Sequence, residues 1–285
     1  MVSLLQQLKK PAVTPPAFLL SFLLSLSLLA GCASPRNEAV TLAAQGGLTA
    51  QEVTAAPFVL MAMVPARWQA GAPLTVYIEG DGHAWIDRYR QSDDPTPHNP
   101  VGLKLALRDH GPNVMYLARP CQYVQGASRV NCAPAYWSTA RFHANVVTAT
   151  SSAIDRFKAA AGASAVRLRG FSGGGTLALL VAASRKDVTE VVTVSAALDT
   201  EAWARLNGIT PLYDSLNPAD YATALAGIPQ LHLLGGDDAG MPPGVAQAYL
   251  SRFPAADKRP QIKTIAGQTH DCCWEPLWPQ AGRLP

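Results

Sequence analysis

A serine between glycines is the clearest chemical signal in the sequence. The motif G-F-S-G-G at positions 170–174 follows the alternating run 166–169 and precedes the helix-competent run 176–183. In a G-x-S-x-G motif of this kind, the serine lies on a tight turn between strand and helix, and its hydroxyl projects above the sheet. The helix that begins after the serine directs amide N–H groups toward the reacting oxygen. The motif predicts that Ser172 is a nucleophile and that the Gly173 amide is an oxyanion donor.

A serine hydroxyl needs a histidine beside it as a base. On such an elbow the acid, and then the histidine, follow the serine along the chain. Four of the six histidines precede the serine, namely His83, His98, His110 and His143. Of the other two, His232 lies inside the apolar run 230–236, where a packed side chain is expected. We therefore predict that the base is His270, in the loop 267–271 after the strand-like run 262–265.

The base in turn needs a carboxylate that holds its ring in the correct tautomer. Asp237 and Asp238 both follow the apolar run 230–236, at the position expected for this acid. Asp199, at the end of the run 188–198, is a third candidate, since it also follows a strand-like segment.

A second oxyanion donor is expected in the loop after an early strand. The run 74–78 is strand-like and continues as Glu79-Gly80-Asp81-Gly82. We predict that the amide of Asp81, or alternatively that of Gly82, points into the site. Because a carboxylate beside a developing oxyanion is unfavourable, we expect the Asp81 side chain to turn away.

Short β-favouring runs alternate with helical stretches throughout residues 57–285. The runs are 57–65, 74–80, 113–119, 165–171, 188–198, 230–236 and 262–265, and the helical stretches are 100–110, 139–161, 174–185 and 243–253. This alternation indicates βαβ units, and therefore a single α/β domain with a mostly parallel central sheet and helices on both faces.

The N-terminus has the features of an export signal. Lys9 and Lys10 precede the apolar run 17–30, which is short for a bilayer span. Leu29-Ala30-Gly31-Cys32 resembles a bacterial lipobox, which implies a lipoprotein signal peptide over residues 1–31 and acylation of Cys32. The lipobox resemblance, with Ala33 as the next residue, implies a lipid anchor at the outer membrane, facing the periplasm. Residues 32–56 show no clear strand or helix pattern and are predicted to be a membrane tether.

Four further cysteines, Cys121, Cys132, Cys272 and Cys273, are disulfide candidates in an exported protein. Three pairings are possible, and spacing does not choose between them. His270, Asp271 and the two adjacent cysteines lack C-x-x-C spacing, so no metal site is predicted.

Composition narrows the classes of function. Of 285 residues, 48% are hydrophobic and 15% charged, which suits a folded domain rather than a disordered chain. The formal net charge is only +3, and two of those charges lie in the N-terminal segment. Because the rest of the chain is nearly neutral, no nucleic-acid partner is expected. The sequence does not indicate the oligomeric state.

The motifs together resemble the α/β-hydrolase fold family, over about residues 57–278. They are GFSGGG, GGDDAGMP, GQTHD and YIEGDGHAW, in the family's order. Asp238 stands in a frame, G-x-x-D-x-x-M-P, similar to the one around the family's acid, which favours it over Asp237 and Asp199. Glu79-Gly80 departs from the His-Gly that many relatives have there.

The lipobox, together with ARPCQY at 118–123, YWSTARF at 136–142 and SLNPAD at 215–220, resembles an exported bacterial lipoprotein branch of that family. Arg119 and Arg141, in two of these stretches, are expected to pair with acids or to hold the Cys121 loop. Four aromatic residues are candidates to line a pocket, with core packing as the alternative: Trp85, Tyr136, Trp137 and Trp274.

The resemblance implies a serine hydrolase that cleaves a small carboxylic ester or acyl substrate without a cofactor. Amide or peptide hydrolysis and acyl transfer need the same side chains. A non-catalytic envelope lipoprotein is the alternative from another class.

Overall fold

The computed structural model describes residues 34–284, which form one eight-stranded sheet with helices on both faces. The strands are β1 Leu48–Ala55, β2 Phe58–Pro65, β3 Leu74–Ile78, β4 Val114–Leu117, β5 Val166–Phe171, β6 Val188–Val194, β7 Gln230–Gly235 and β8 Gln261–Ile265. Their order across the sheet is β1-β2-β4-β3-β5-β6-β7-β8. β2 is antiparallel to β1 and β4, and every other pair is parallel. This confirms the predicted fold class.

Seven α-helices connect or flank these strands within the described residues. They are α1 Pro35–Gln45, α2 Val101–Ala106, α3 Ala144–Ala161, α4 Gly173–Ala183, α5 Thr200–Asn207, α6 Ala222–Leu225 and α7 Pro243–Ser251. Four of these helices match the four predicted helical stretches. Three lie within their stretches, namely α2, α3 and α7, and α4 begins one residue before its predicted start. α5 was not predicted. No helix in this part of the chain combines the length and apolar character needed to cross a membrane.

Alternate residues of the central strands contribute to two separate cores, one on each face of the sheet. In β3, Val76 packs into the core with α3 and α4, whereas Tyr77 packs into the core with α1 and α2. Since both faces are covered, β3 and β4 are buried along their whole length. This burial explains why their sequences are continuous apolar runs rather than alternating ones.

Residues 34–56 of the predicted tether, 32–56, differ from the expectation of no clear strand or helix pattern. Residues 35–45 form α1, and residues 48–55 form β1, which pairs along its full length with β2. β1 is an edge strand with the sequence LTAQEVTA, in which only Leu48, Val53 and Ala55 are buried. An edge strand needs few apolar residues, so its sequence carries a weak signal. The predicted signal peptide and the acylation site Cys32 lie outside the described residues.

The four cysteines form two disulfides. Cys121 pairs with Cys132, their Cα atoms 5.6 Å apart, which is an ordinary separation. Cys272 pairs with its neighbour Cys273. The Cys121–Cys132 pair closes the loop between β4 and α3, which lies beside the carboxyl end of β3.

Candidate active site

Ser172 lies on a sharp turn between β5 and α4, as the glycine motif predicts. Its φ of +51° is a left-handed conformation that residues other than glycine rarely adopt. A β-carbon at Gly170 would lie 2.5 Å from Gly175 Cα, so the turn tolerates no side chain there. The amide of Ser172 donates to Val194 O at 2.8 Å, which fixes the turn to β6.

Three side chains from distant parts of the chain meet at the carboxyl edge of the sheet. The Ser172 Oγ and His270 Nε2 atoms are 2.9 Å apart, and His270 Nδ1 is 2.9 Å from Asp238 Oδ2. His270 lies in the loop after β8, and Asp238 in the loop after β7. When Nδ1–H donates to the carboxylate, Nε2 is left to accept the proton of the serine hydroxyl. The arrangement can therefore deprotonate Ser172 as it attacks an electrophile.

The charges at the site favour an ionised acid and a basic imidazole. Burial alone raises the pKa of Asp238, but the hydrogen bond from His270 and that residue's charge outweigh it and lower this pKa. Burial alone lowers the pKa of His270. The hydrogen bond to Asp238 and the charge of that carboxylate raise this pKa by more, so the pKa of His270 is raised overall. The Asp238 side chain is fully buried, and the imidazole is 37% exposed. The base is thus open to the cavity while its partner is shielded from water.

The other candidates for acid and base have different environments. Asp237 is exposed. Asp199 caps α5, because its Oδ1 accepts the Ala202 amide at 2.9 Å. His232 is fully buried and shares a 2.8 Å hydrogen bond with Thr193, and its burial lowers its pKa to about 3. It is a packed strand residue, as expected.

The loop after β3 packs directly against the serine turn. A β-carbon built on Gly80 would lie 3.3 Å from Ser172 Cβ. Within the described residues, the amides of Asp81, Gly82 and Gly173 donate to no acceptor, and Gly173 is the first residue of α4, where no intrahelical partner exists. The Gly173 amide and the two alternative amides of the β3 loop are therefore available to an oxygen bound beside Ser172.

The side chain of Asp81 does not turn away from the site, which corrects the prediction. It lies over Gly173 and lines the cavity. Two cations neutralise it: Arg119 pairs with Oδ1, and Arg141 donates to Oδ2 at 2.6 Å. Burial alone raises the pKa of Asp81, but the two guanidinium groups outweigh it and lower this pKa. The predicted pairing of both arginines with an acid is confirmed.

Glu79, the first residue after β3, is buried and faces backbone amides. Its Oε1 atom accepts the amides of Gly80 at 2.9 Å and Gly102 at 3.1 Å, and so ties the β3 loop to the start of α2. Burial raises the pKa of this carboxyl.

A cavity of about 470 Å³ opens above Ser172. Its lining includes the apolar side chains of Phe142, Phe171, Trp203 and Met241 and the polar side chains of His83, His98 and Arg141. The two histidine rings stack with their centroids 4.5 Å apart.

None of the four aromatic candidates from the sequence lines this cavity. Trp137 and Trp274 are each buried in one of the two cores. Tyr136 packs against the core that contains Trp137, and Trp85 is 40% exposed. Trp203 was missed because it lies on the unpredicted helix α5.

Residues 34–284 contain no group of three or more histidine, cysteine, aspartate or glutamate side chains placed to hold a metal ion. The site as described is built from a hydroxyl, an imidazole, carboxylates and guanidinium groups.

No protein-family model and no curated protein matches the chain. Solved structures do match. An esterase from Pyrococcus furiosus has a TM-score of 0.57 and 14% identity, over 88% of this chain and 90% of its own. A bacterial membrane phospholipase A has a TM-score of 0.53 and 16% identity, over 93% and 95%. An α/β serine hydrolase homologue from Coxiella burnetii has a TM-score of 0.52 and 14% identity, over 78% and 88%. With the strand order above, these similarities establish that the chain has the α/β-hydrolase fold.

Proposed function

We propose that this protein is a serine hydrolase that cleaves a carboxylic ester through an acyl-enzyme on Ser172. The observation that carries the proposal is the unbroken hydrogen-bond chain from Ser172 through His270 to Asp238, each contact 2.9 Å long. Such a chain supplies the base that a serine hydroxyl needs and the carboxylate that orients that base.

The reaction begins when Ser172 Oγ attacks the ester carbonyl and its proton passes to His270 Nε2. The carbonyl oxygen becomes an oxyanion, which the amides of Gly173 and Asp81 stabilise. The tetrahedral intermediate then collapses: the C–O bond to the alcohol breaks, and the leaving alkoxide takes the proton from Nε2. A water molecule, deprotonated by His270, attacks the acyl-enzyme in the same way and releases the acid.

The cavity favours a substrate of modest size with an apolar group. Its volume is within the usual range for a small-molecule site. The apolar side chains of Phe171 and Trp203, which line the cavity, suit an acyl or alkyl group of the substrate. Between β6 and β7, residues 195–229 contain only α5, α6 and one short 3-10 helix, so this segment supplies no long insertion over the site. Two of the similar structures are, by name, an esterase and a phospholipase A, which also supports ester substrates.

Labelling with a fluorophosphonate tests the proposal. The wild-type protein is expected to form a covalent adduct, and peptide mass spectrometry should place it on Ser172. Substitution His270→Ala should prevent labelling, because the hydroxyl then lacks its base.

A panel of p-nitrophenyl esters and matched anilides then separates ester from amide cleavage. Faster turnover of the anilides would favour the amide alternative. A folded wild-type protein that neither labels nor hydrolyses any ester would contradict the proposed function.

We further propose that acylated Cys32 anchors the protein at the outer membrane, facing the periplasm. The residues Leu29 to Cys32 match a lipobox, and the two disulfides suit an oxidising compartment. Stable attachment needs more than one acyl chain.

Substitution Cys32→Ala is expected to move the protein out of the detergent-extracted membrane fraction. The mass of the wild-type N-terminal peptide should include the acyl groups. An unmodified Cys32 in the mature protein would contradict the anchor.

A further inference from the structure

We infer that Gln122 is a positioning residue, which aims the Asp81 amide at the developing oxyanion. The inference rests on the proposed function, since it concerns the second oxyanion donor. Gln122 lies in the stretch ARPCQY, in the loop after β4, and does not line the cavity.

The peptide group between Gly80 and Asp81 links Gln122 to the oxyanion donor. Gln122 Nε2 donates to the carbonyl oxygen of Gly80 at 2.9 Å. That carbonyl and the N–H of Asp81 belong to the same planar trans peptide, so they point in opposite directions. The bond that holds the carbonyl therefore also holds the Asp81 N–H, on the side away from Gln122.

The orientation of the Gln122 amide is determined by its three side-chain contacts. Its Oε1 atom accepts the backbone amide of Arg119 at 3.0 Å, while Nε2 donates to the carbonyl oxygens of Gly80, at 2.9 Å, and Pro95, at 3.5 Å. An exchanged amide would place oxygen against these two carbonyls and nitrogen against the Arg119 N–H, losing all three bonds. Gln122 is 1% exposed, so no bulk water replaces them.

The backbone around Gln122 is held in an uncommon conformation. Both neighbours, Cys121 and Tyr123, have positive φ values, +74° and +61°. Residues with side chains adopt this region only where the surrounding structure enforces it. Here the Cys121–Cys132 disulfide holds one side, and on the other the Tyr123 amide donates to Thr96 Oγ1 at 2.9 Å. The loop thus directs the Gln122 side chain beneath the Gly80 peptide.

Neighbouring polar groups on either side of this peptide have partners. The Gly80 amide donates to Glu79, and the Asp81 carboxylate binds Arg119 and Arg141. The Asp81 N–H is left without an acceptor among the described residues. The contact from Gln122 thus holds the peptide that carries this free donor.

The test is substitution Gln122→Met, which keeps the side-chain length but removes the donor. We expect kcat for a p-nitrophenyl ester to fall by about 10- to 100-fold, up to the effect of losing one oxyanion donor. KM should change less than about 3-fold, because the donor acts mainly in the transition state. The affinity of an alkylboronic acid, which forms a tetrahedral serine adduct, should fall by the same factor as kcat/KM.

Substitution Gln122→Glu is the second variant, should the first fail to fold. It keeps the acceptor for the Arg119 amide but replaces the donor with oxygen. Its losses in kcat and boronate affinity should be at least as large.

Thr96→Val is the matched control, because it removes the bond to the Tyr123 amide from the same loop and leaves the Gly80 contact in place. We expect it to lower the melting temperature as much as Gln122→Met does, with kcat within about 3-fold of wild type. This comparison separates a loosened loop from a misdirected donor.

A folded Gln122→Met variant with unchanged kcat, or with no greater loss than Thr96→Val, would overturn the inference. So would a loss confined to KM. These outcomes, with a wild type that labels on Ser172, leave the proposed function intact. A wild type that does not label contradicts the proposed function itself, and this inference with it.

Discussion

Substitution Ser172→Ala is expected to lower kcat for ester hydrolysis by about 10⁵- to 10⁶-fold, the scale seen when a triad nucleophile is removed. The alanine leaves His270 without a hydroxyl to deprotonate, so no acyl-enzyme forms. Residual turnover should come from water attack, aided by the oxyanion donors. Steady-state assays with a chromogenic ester, together with burst-phase measurements, provide the readout.

Ser184→Ala is the matched control, since Ser184 lies at the other end of α4 and, among the described residues, its hydroxyl bonds only Val181 O, at 2.9 Å. It should retain wild-type kcat. If Ser172→Ala keeps more than about a hundredth of wild-type turnover, another nucleophile carries the reaction.

Substitution Asp238→Asn is expected to lower kcat by about 10⁴-fold, as loss of the acid does in a triad of this type. The asparagine amide no longer requires Nδ1 to carry the proton, so the imidazole can present Nε2–H to the serine and lose its function as a base. The pH profile should move as well. Because Asp238 raises the pKa of His270, wild-type kcat/KM should rise with pH through a midpoint above the ordinary histidine pKa. In Asp238→Asn the midpoint should move to lower pH.

Asp237→Asn provides the comparison, because this adjacent carboxylate is exposed. It should keep wild-type kcat and the wild-type pH midpoint. A larger loss in Asp237→Asn or Asp199→Asn than in Asp238→Asn would show that the acid has been assigned to the wrong residue.

The parts of the site that follow from local sequence were predictable. A side chain at Gly170 would meet the backbone of Gly174 and Gly175 in the same turn, so this glycine marks the elbow without knowledge of the rest of the chain. A side chain at Gly174 would instead meet the backbone of Ile78 and Glu79, at the end of β3. His270 and Asp238 both follow strands, and the carboxyl ends of parallel strands lie at one edge of the sheet. Asp237 and Asp199 follow strands as well, so the choice of Asp238 came from the resemblance of its frame to the one around the family's acid.

The parts that depend on distant contacts were not predictable. The expectation for Asp81 considered its charge in isolation, whereas Arg119 and Arg141, which follow β4 and precede α3, neutralise it. Gln122 acts on a peptide 42 positions away, and no spacing rule connects the two. β1 was missed because its sequence is largely polar, and only its pairing with β2 identifies it as a strand.

The pairing of β1 with β2 changes where this protein can be shortened. A recombinant chain that starts at residue 57, where the apolar runs begin, would lack β1, the strand that pairs with all eight residues of β2. A bare, largely apolar strand edge invites association with other chains. It would also remove Ala39 and Ala43 of α1 from the core that contains Tyr77. The compact unit that contains the sheet begins at Pro35, so a shortened chain should keep every residue from Pro35 onward.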